Sequence, residues 1–475
     1  MPNRLQESKT IKSHNQMHNL TQAKTMSIPT RLDIGIDDTD SLKGGCTTHV
    51  AYEIVKRIRQ TFDITPIEYP YLVRLNPNFP RKTKGNAAIK ISYPIGDNLD
   101  MNRFTDFIED TVKRNSHMQE RDTNPAVALS YTGIQNGALA RFYGRALCDI
   151  ISVQEALDFA QSHGISILFL KDSKIGSVGA ISALGADLSG DCTYELLAYR
   201  SSEMCGKPRK VDKQSIILMD QRTRSLTFNN IDLDNRRILI TPHGPDPILF
   251  GIRGETPEAV LNALSYLKIN EEIAGWMIFK TNQGTDAHFQ AFYRIGNQPP
   301  VPKRPHIVFC ANANVCAKPR IIRGGHVVCR VDLGTSKLDV VCYRESGRLR
   351  HVVSALTVGD KVLVCGGTRQ RNCSIFLNLE KLEVLELVNV NVKKAPICPN
   401  CRIRCDSKGL RQGYRCRHCD YRMAVPVIER TNRRILEGTY LPDPTGQRHL
   451  TKPFSRYGVE ATRPPVVGLI QDWFR

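Results

Sequence analysis

Apolar residues change their spacing along this chain, and those changes mark out its elements. Leu32, Ile34 and Ile36 alternate with Asp33 and Gly35, the two-residue period of a strand. A helical period takes over from about Thr47, where Val50, Ile54, Val55 and Ile58 share one face. Further strands are predicted near Tyr69–Leu75 and Ala87–Ser92, and a helix near Met101–Lys113. Ser152 with Glu155 forms a capping box that opens a helix ending at Gly164. The strand Ile165–Leu170 follows, then a helix of small residues from about Ser177. Strands and helices taking turns predict a mixed α/β domain over residues 30–214.

A second pattern covers residues 215–298, with strands predicted at Ser215–Asp220, Arg237–Thr241, Ile248–Ile252 and Trp276–Phe279. Thr256 as N-cap and Pro257 at the first helical position open a helix through Leu267. Pro299, Pro300, Pro302 and Pro305 read as a linker. Residues 303–388 then carry short strands at Val327–Val331, Lys337–Tyr343, Lys361–Cys365 and Ser374–Leu379, punctuated by Gly324-Gly325 and Gly366-Gly367. That predicts a small all-β barrel, with an OB-fold as the leading form. Paired cysteines fill residues 395–430, and 431–475 read as a basic, proline-containing tail. Residues 1–28 are polar without a period and read as a disordered leader; Met26, just before the first strand, offers an internal start.

Composition narrows the class. A chain of 475 residues is too long for one ordinary core and suggests three or four domains. No apolar run approaches the ~18 residues of a membrane span, and the basic N-terminus lacks the apolar stretch of a secretory signal. Fifteen cysteines in that setting predict reduced thiols or metal ligands in a cytoplasmic protein, not a disulfide framework. The net charge of +19 is unevenly placed. Residues 300–475 hold 31 Lys and Arg against 14 Asp and Glu, and the remainder hold 35 against 33. A neutral front and a polycationic back predict nucleic-acid binding behind Pro300.

Four clusters carry chemistry. Cys398-Pro-Asn-Cys401 and Cys416-Arg-His-Cys419, fourteen residues apart, supply four thiolates for a structural tetrahedral zinc. Cys405 and His418 are spare donors read as non-ligands. Arg402, Arg404, Lys408, Arg411, Arg415 and Arg417, with Tyr414 and Tyr421, give this segment a surface for phosphates and stacked bases. The second cluster is Asp37-Asp38-Thr39-Asp40 after the first strand. Such aspartates serve as turn or capping residues, or hold a divalent cation such as Mg²⁺. Gly44 and Gly45 permit close approach of a ligand, and Thr47 and Thr48 stand at a helix N-terminus that favours phosphate. No Walker A sequence is present. The third cluster is Arg74, Lys82, Lys84, Gly85 and Asn86, donors for a polyphosphate or a solvated basic loop. Gly176-Ser-Val-Gly179-Ala resembles a tight helix entry and equally suits helix packing. The fourth cluster places His243, Asp246 and Arg253 among prolines and glycines, as pocket residues.

These blocks resemble one family. Gly35-Ile36-Asp37-Asp38-Thr39-Asp40-Ser41, with Gly44 and Cys46-Thr47-Thr48, is similar to the opening of archaeal tRNA(Ile)-2-agmatinylcytidine synthetases. The block Arg74 to Asn86, the runs Pro242–Pro247 and Leu249–Glu255, Phe279–Asp286, Asn378–Lys381 and the cysteine knuckles resemble that family in the same order. The resemblance runs from about Arg31 to residue 430; Leu42-Lys43-Gly44-Gly45 departs from it in the residue before the cysteine. It implies a kinase-like ATP-dependent domain, a ferredoxin-like domain, an OB-fold and a zinc ribbon. It implies ligation of agmatine to the wobble cytidine of a CAU-anticodon isoleucine tRNA, so that AUA is decoded. It further implies ATP, Mg²⁺ and Zn²⁺ as cofactors, Asp37, Asp38 and Asp40 as catalytic and Mg²⁺ residues, and Thr47 as the phosphorylated threonine. ATP phosphates fall to Gly44, Gly45, Arg74, Lys82, Lys84 and Asn86, and the agmatine pocket to His243, Asp246, Arg253 and Glu255. An RNA-binding protein without activity, or a phosphotransferase using another amine or acceptor, are the rival readings.

Overall fold

Leu32, Ile34 and Ile36 are fully buried, and the strand they form is near the centre of a large sheet. The computed structural model describes residues 31–82, 85–96, 99–131, 137–294, 301–448, 450–458 and 468–475. The first strands and helices are β1 (Arg31–Asp37), α1 (Thr47–Phe62), β2 (Tyr71–Arg74), β3 (Ala87–Pro94), α2 (Met101–Asn115), β4 (Ala126–Ser130), α3 (Gly137–Cys148), α4 (Val153–Ser162), β5 (Ser166–Phe169), α5 (Gly176–Leu184) and β6 (Thr193–Tyr199). Next come α6 (Lys213–Thr223), a short ribbon of β7 (Ile231–Asp232) and β8 (Arg237–Ile238), β9 (Ile248–Gly254), α7 (Pro257–Leu264), β10 (Gly275–Thr281) and α8 (Ala287–Arg294). Eight of these strands make one sheet in the order β5-β4-β1-β3-β2-β10-β6-β9. Its seams are antiparallel except where β10 meets β2, Lys280 opposite Tyr71. That parallel seam joins two antiparallel groups of strands into one sheet.

Both faces of the sheet are covered. Helices α1, α2, α6 and α7 bury Ile54, Phe104, Met219 and Val260 in one core. Helices α3, α4, α5 and α8 pack on the other face, where Phe292 meets Phe309 of the next domain. The tight packing of α5 depends on missing side chains: a Cβ on Gly35 would lie 2.0 Å from the Ala180 carbonyl oxygen.

Two expectations for this region are corrected. Ser215–Asp220 is not a strand but part of α6, because Asp212 caps it by accepting from the Ser215 N–H, and Ile216, Met219 and Thr223 are buried at helical spacing. The strand expected at Arg237–Thr241 shortens to the two residues of β8. In the strand order β6, which precedes residue 214, lies between β9 and β10, which follow it.

The barrel is built from β11 (Val308–Val315), β12 (Arg320–Ile321), β13 (Val327–Asp332), β14 (Lys337–Cys342), β15 (Lys361–Arg371) and β16 (Ser374–Glu386), with α9 (Arg348–Ser354) between β14 and β15. The path β11-β15-β16-β14-β13 closes through β13 back onto β11, where Val315 faces Val331. Beyond it, β17 (Val390–Lys394) pairs with β21 (Val427–Thr431) and frames three short strands, β18 (Asp406–Ser407), β19 (Tyr414–Arg415) and β20 (Arg422–Met423). Described residues after 431 pack against the rest of the chain. β22 (Gly438–Tyr440) joins β16, and Arg456 is buried against Glu255 and Asp191, which flank strands β9 and β6 of the first sheet. Residues 473–475 lie along β10: Ile278 donates to Trp473 O at 2.9 Å, and Tyr52 of α1 donates to Arg475 O at 3.1 Å.

Candidate active site and cysteine cluster

Strand β1 delivers Asp37 to a pocket of about 220 Å³ at the end of the sheet. Gly179 of α5 makes room for it, since a Cβ there would sit 1.8 Å from Asp37 Oδ2. The chain turns at Asp38 with a left-handed φ of 59°, and Asp38 O accepts from the Asn124 N–H at 3.1 Å. Asp37, Asp38 and Asp40 all line the pocket. Burial, then repulsion from Asp38 and Asp40, holds the Asp37 carboxyl well above its ordinary range. Burial also pushes Asp38 up to about 6, against a hydrogen bond from Asn124 and the charge of Lys171. Crowding and dehydration thus dominate the electrostatics of these carboxylates.

Thr47 begins α1 across the same pocket, and Thr39 Oγ1 donates to its hydroxyl at 3.1 Å. No side chain caps α1, and its first turn holds no acid, so the positive end of the helix is unneutralised by its own residues. Arg74 ends β2. Its Nε donates to Gln283 at 2.9 Å and its Nη2 to Glu195 at 3.3 Å, while Arg253 Nε donates to the other Glu195 oxygen at 3.0 Å. One buried carboxylate on β6 therefore spaces two guanidiniums from β2 and β9 along one wall, leaving a net positive charge there. Arg81, Lys82 and Asn86 complete the wall.

The expected residues divide as follows. Asp37, Asp38, Asp40, Thr47, Arg74, Lys82, Asn86 and Arg253 line one pocket. Gly44 and Gly45 do not line it; they form the turn beneath it and pack against His117. Lys84 lies outside the described residues. His243 borders a separate depression with Lys207 and Arg209. Asp246 is buried in an ion pair with Arg209 at 3.1 Å. Glu255 takes both oxygens to Arg456, at 2.7 and 3.0 Å, away from the pocket. Glu195 was missed by sequence reasoning, although a lone acid inside the apolar run Thr193–Tyr199 is its signal. Gly179 belongs to the run Gly176–Ala180, whose packing role the structure shows.

The cysteines meet their expectation more simply. Cys398, Cys401, Cys416 and Cys419 bring their sulfurs within 4.8 Å of one another, and among the described residues they are the group of potential ligands that gathers this tightly. Four soft sulfurs at that spacing suit zinc. Cys405 is buried beside the cluster but is not one of the four, and neither is His418. Arg402, Arg404, Arg411 and Arg417 are exposed around it.

Three domain profiles match the chain: the TiaS TCKD domain over residues 33–101, the TiaS FLD domain over 174–288 and the TiaS C-terminal zinc ribbon domain over 395–435. An isoleucine-tRNA 2-agmatinylcytidine synthetase TiaS of Ignisphaera aggregans is 36% identical over 444 residues, covering 90% of this chain and 94% of the relative. The chain belongs to the TiaS family. Solved TiaS structures share its architecture. The complex of TiaS with its isoleucine tRNA and ATP aligns with a TM-score of 0.79 at 32% identity, covering 91% of this chain and 98% of the TiaS chain. The complex of TiaS with the same tRNA, AMPCPP and agmatine aligns at 0.76 and 30% identity over the same shares of each chain. Among the described residues, no helix is long and apolar enough to cross a membrane.

Proposed function

We infer that this chain is an isoleucine-tRNA 2-agmatinylcytidine synthetase, an ATP-dependent ligase that joins agmatine to the wobble cytidine of a CAU-anticodon tRNA in the cytoplasm. One observation carries the reading. A single pocket holds the Asp37, Asp38 and Asp40 cluster, Thr47 and the Arg74–Glu195–Arg253 network, in a chain that aligns with TiaS relatives over nine-tenths of its length.

The C2 carbonyl oxygen of cytosine is a poor leaving group. Transfer of a phosphoryl group to it makes a phosphate ester, and attack by the agmatine amine then forms the C2–N bond as phosphate departs. Such a transfer is catalysed by position and charge. Arg74, Arg253 and Lys82 would neutralise phosphate oxygens. Asp37, Asp38 and Asp40 would hold Mg²⁺, which would supply charge to the polyphosphate when bound. The carboxylates of Asp37 and Asp38 suit that ion, because burial and mutual repulsion raise their hold on protons, and Mg²⁺ commonly takes one or two carboxylates together with phosphates. Thr47 would be the hydroxyl that is phosphorylated, a role supported by its position at the positive end of α1.

Domain assignments follow the same reading. The front strands with α1 and α2 would form the kinase-like domain, and β6, β9, β10, α6 and α7 the ferredoxin-like one. The barrel is an OB-fold, supported by its closure through β11 and β13 and by α9 between its third and fourth long strands. Asp246 and Glu255, proposed for the amine pocket, pair with Arg209 and Arg456, so a bound amine would share each carboxylate with a guanidinium.

The test is direct. Purified protein is incubated with ATP, Mg²⁺, agmatine and CAU-anticodon isoleucine tRNA, and the nucleosides are weighed. The expected product is 2-agmatinylcytidine, dependent on every component. An unmodified cytidine, or an equal yield with lysine in place of agmatine, would overturn the reading.

A further inference from the structure

The loop between β2 and β3 has two sides. Phe79, Arg81 and Lys82 face the nucleotide pocket. Asn78, only 1% exposed, faces the barrel instead. Gly367 of β15 admits it, because a Cβ there would lie 2.0 Å from Asn78 Oδ1. Arg369 of β15 donates to Asn78 O at 3.0 Å. Arg448, from the segment after β22, donates to Asn78 Oδ1 at 3.2 Å and to Glu380 of β16 at 2.6 Å. Lys82 Nζ donates to Pro77 O at 2.6 Å.

Two features of this junction are out of balance. Lys82, Arg369 and Arg448 converge on it, and among the described residues Glu380 is the carboxylate that answers them. Asn78 Nδ2 is a buried donor with no acceptor among the described residues. A buried unpaired donor costs about 1–3 kcal/mol, so such groups are normally satisfied. Surplus cations and an orphan donor require the same remedy, an anionic oxygen. Burial first, then the charges of Arg448 and Arg369, pull the Lys82 ammonium down to about 8.

We propose that this junction binds a backbone phosphate of the RNA substrate, with Arg369 and Arg448 as its cations and Asn78 Nδ2 as its neutral donor, beside the Lys82 that faces the nucleotide pocket. The proposal rests on the RNA-modifying function above. ATP is the other source of phosphate. Arg369 and Arg448 do not line the nucleotide pocket, and that favours the RNA. A phosphate here would be held from the catalytic loop on one side and from the barrel on the other. It would tie the grip on RNA to the loop that carries Arg81 and Lys82.

Two full-length variants test it, Arg369→Gln and Asn78→Asp, with CAU-anticodon tRNA and a non-hydrolysable ATP analogue as probes. For Arg369→Gln, tRNA affinity should fall about tenfold at low salt, and the plot of log K against log salt should flatten by about one. Affinity for the ATP analogue should not change. Asn78→Asp places a carboxylate among the cations, so tRNA affinity should fall while the melting temperature stays level or rises. If Arg369→Gln does not fold, Asn78→Asp decides alone. Wild-type affinity and salt slope in the folded variants would overturn the proposal. So would loss of ATP-analogue binding with tRNA binding intact, which would give the phosphate to the nucleotide. A wild-type protein that makes no modified nucleoside fails the function instead, so the two failures are told apart.

Discussion

Asp38 shows at the scale of one residue how function and stability pull apart. Its folded carboxyl titrates near 6, above the ordinary 3.8, so the folded state holds its proton more tightly than the unfolded chain does. Stability from this group is therefore present below about pH 4 and lost as pH rises through 6. Asp38→Asn removes that loss, and asparagine tolerates the left-handed φ of this position. In magnesium-free buffer at pH 7 the variant should be about 1–2 kcal/mol more stable than wild type, measured by urea unfolding. It should also lose Mg²⁺-dependent ATP turnover. A destabilised variant, or one with full turnover, contradicts the metal-site reading. Thr47→Ala should take up no label from γ-labelled ATP on the peptide spanning Cys46 to Thr48; undiminished label there places the acceptor elsewhere. Asp37, Asp38, Asp40 and Thr47 were legible because a run of like charges before a helix start has few structural uses. The ion pairs of Asp246 and Glu255 were not legible because their partners, Arg209 and Arg456, are remote in sequence, and a carboxylate does not disclose which cation it will meet.

Elements were legible where one face alone is buried. Helix α7 and strand β14 appear close to their expected places because α7 buries one helical face and β14 alternates between buried and more exposed positions. The failure at α6 has a physical cause. Ile216, Ile217 and Leu218 are consecutive and apolar, which mimics a buried strand, yet Ile217 and Leu218 are exposed and the cap at Asp212 decides the matter. Helix α5 carries the sharpest consequence for activity. Gly179→Ala would drive a methyl into the Asp37 carboxylate, 1.8 Å from Oδ2. Either α5 or Asp37 must shift, at a cost of about 1–3 kcal/mol. We expect a lowered melting temperature and at least a hundredfold loss of ATP turnover, with tRNA affinity retained. Normal turnover would mean that the pocket tolerates a displaced Asp37.

At the scale of the molecule, charge and chemistry sit at opposite ends of the chain, as the sequence shows, but the fold interleaves them, which it does not show. The long-range contacts of residues 431–475 were illegible because Trp473, Phe474 and Arg456 form no periodic pattern, and only the finished sheet gives them a place. Cys398→Ser should release zinc and lose tRNA modification while binding the ATP analogue normally, since the ribbon and the pocket share no residue. Modification by a protein shown to hold no zinc would refute that division. Trp473→Ala should cost about 3–5 kcal/mol and lower the melting temperature of the front domain, although the substitution lies far along the chain from the other residues of that core. The placement of residues 473–475 against β10 and Tyr52 also orders events at the ribosome. β10 emerges nearly two hundred residues before the segment that covers it. The catalytic sheet must wait, with an edge of β10 uncovered, until the barrel and ribbon have been synthesised. A nascent chain stalled or cut short before residue 468 would thus carry a complete set of pocket residues on an unfinished sheet. The last pairing of the front sheet would form only after the barrel and ribbon have been made.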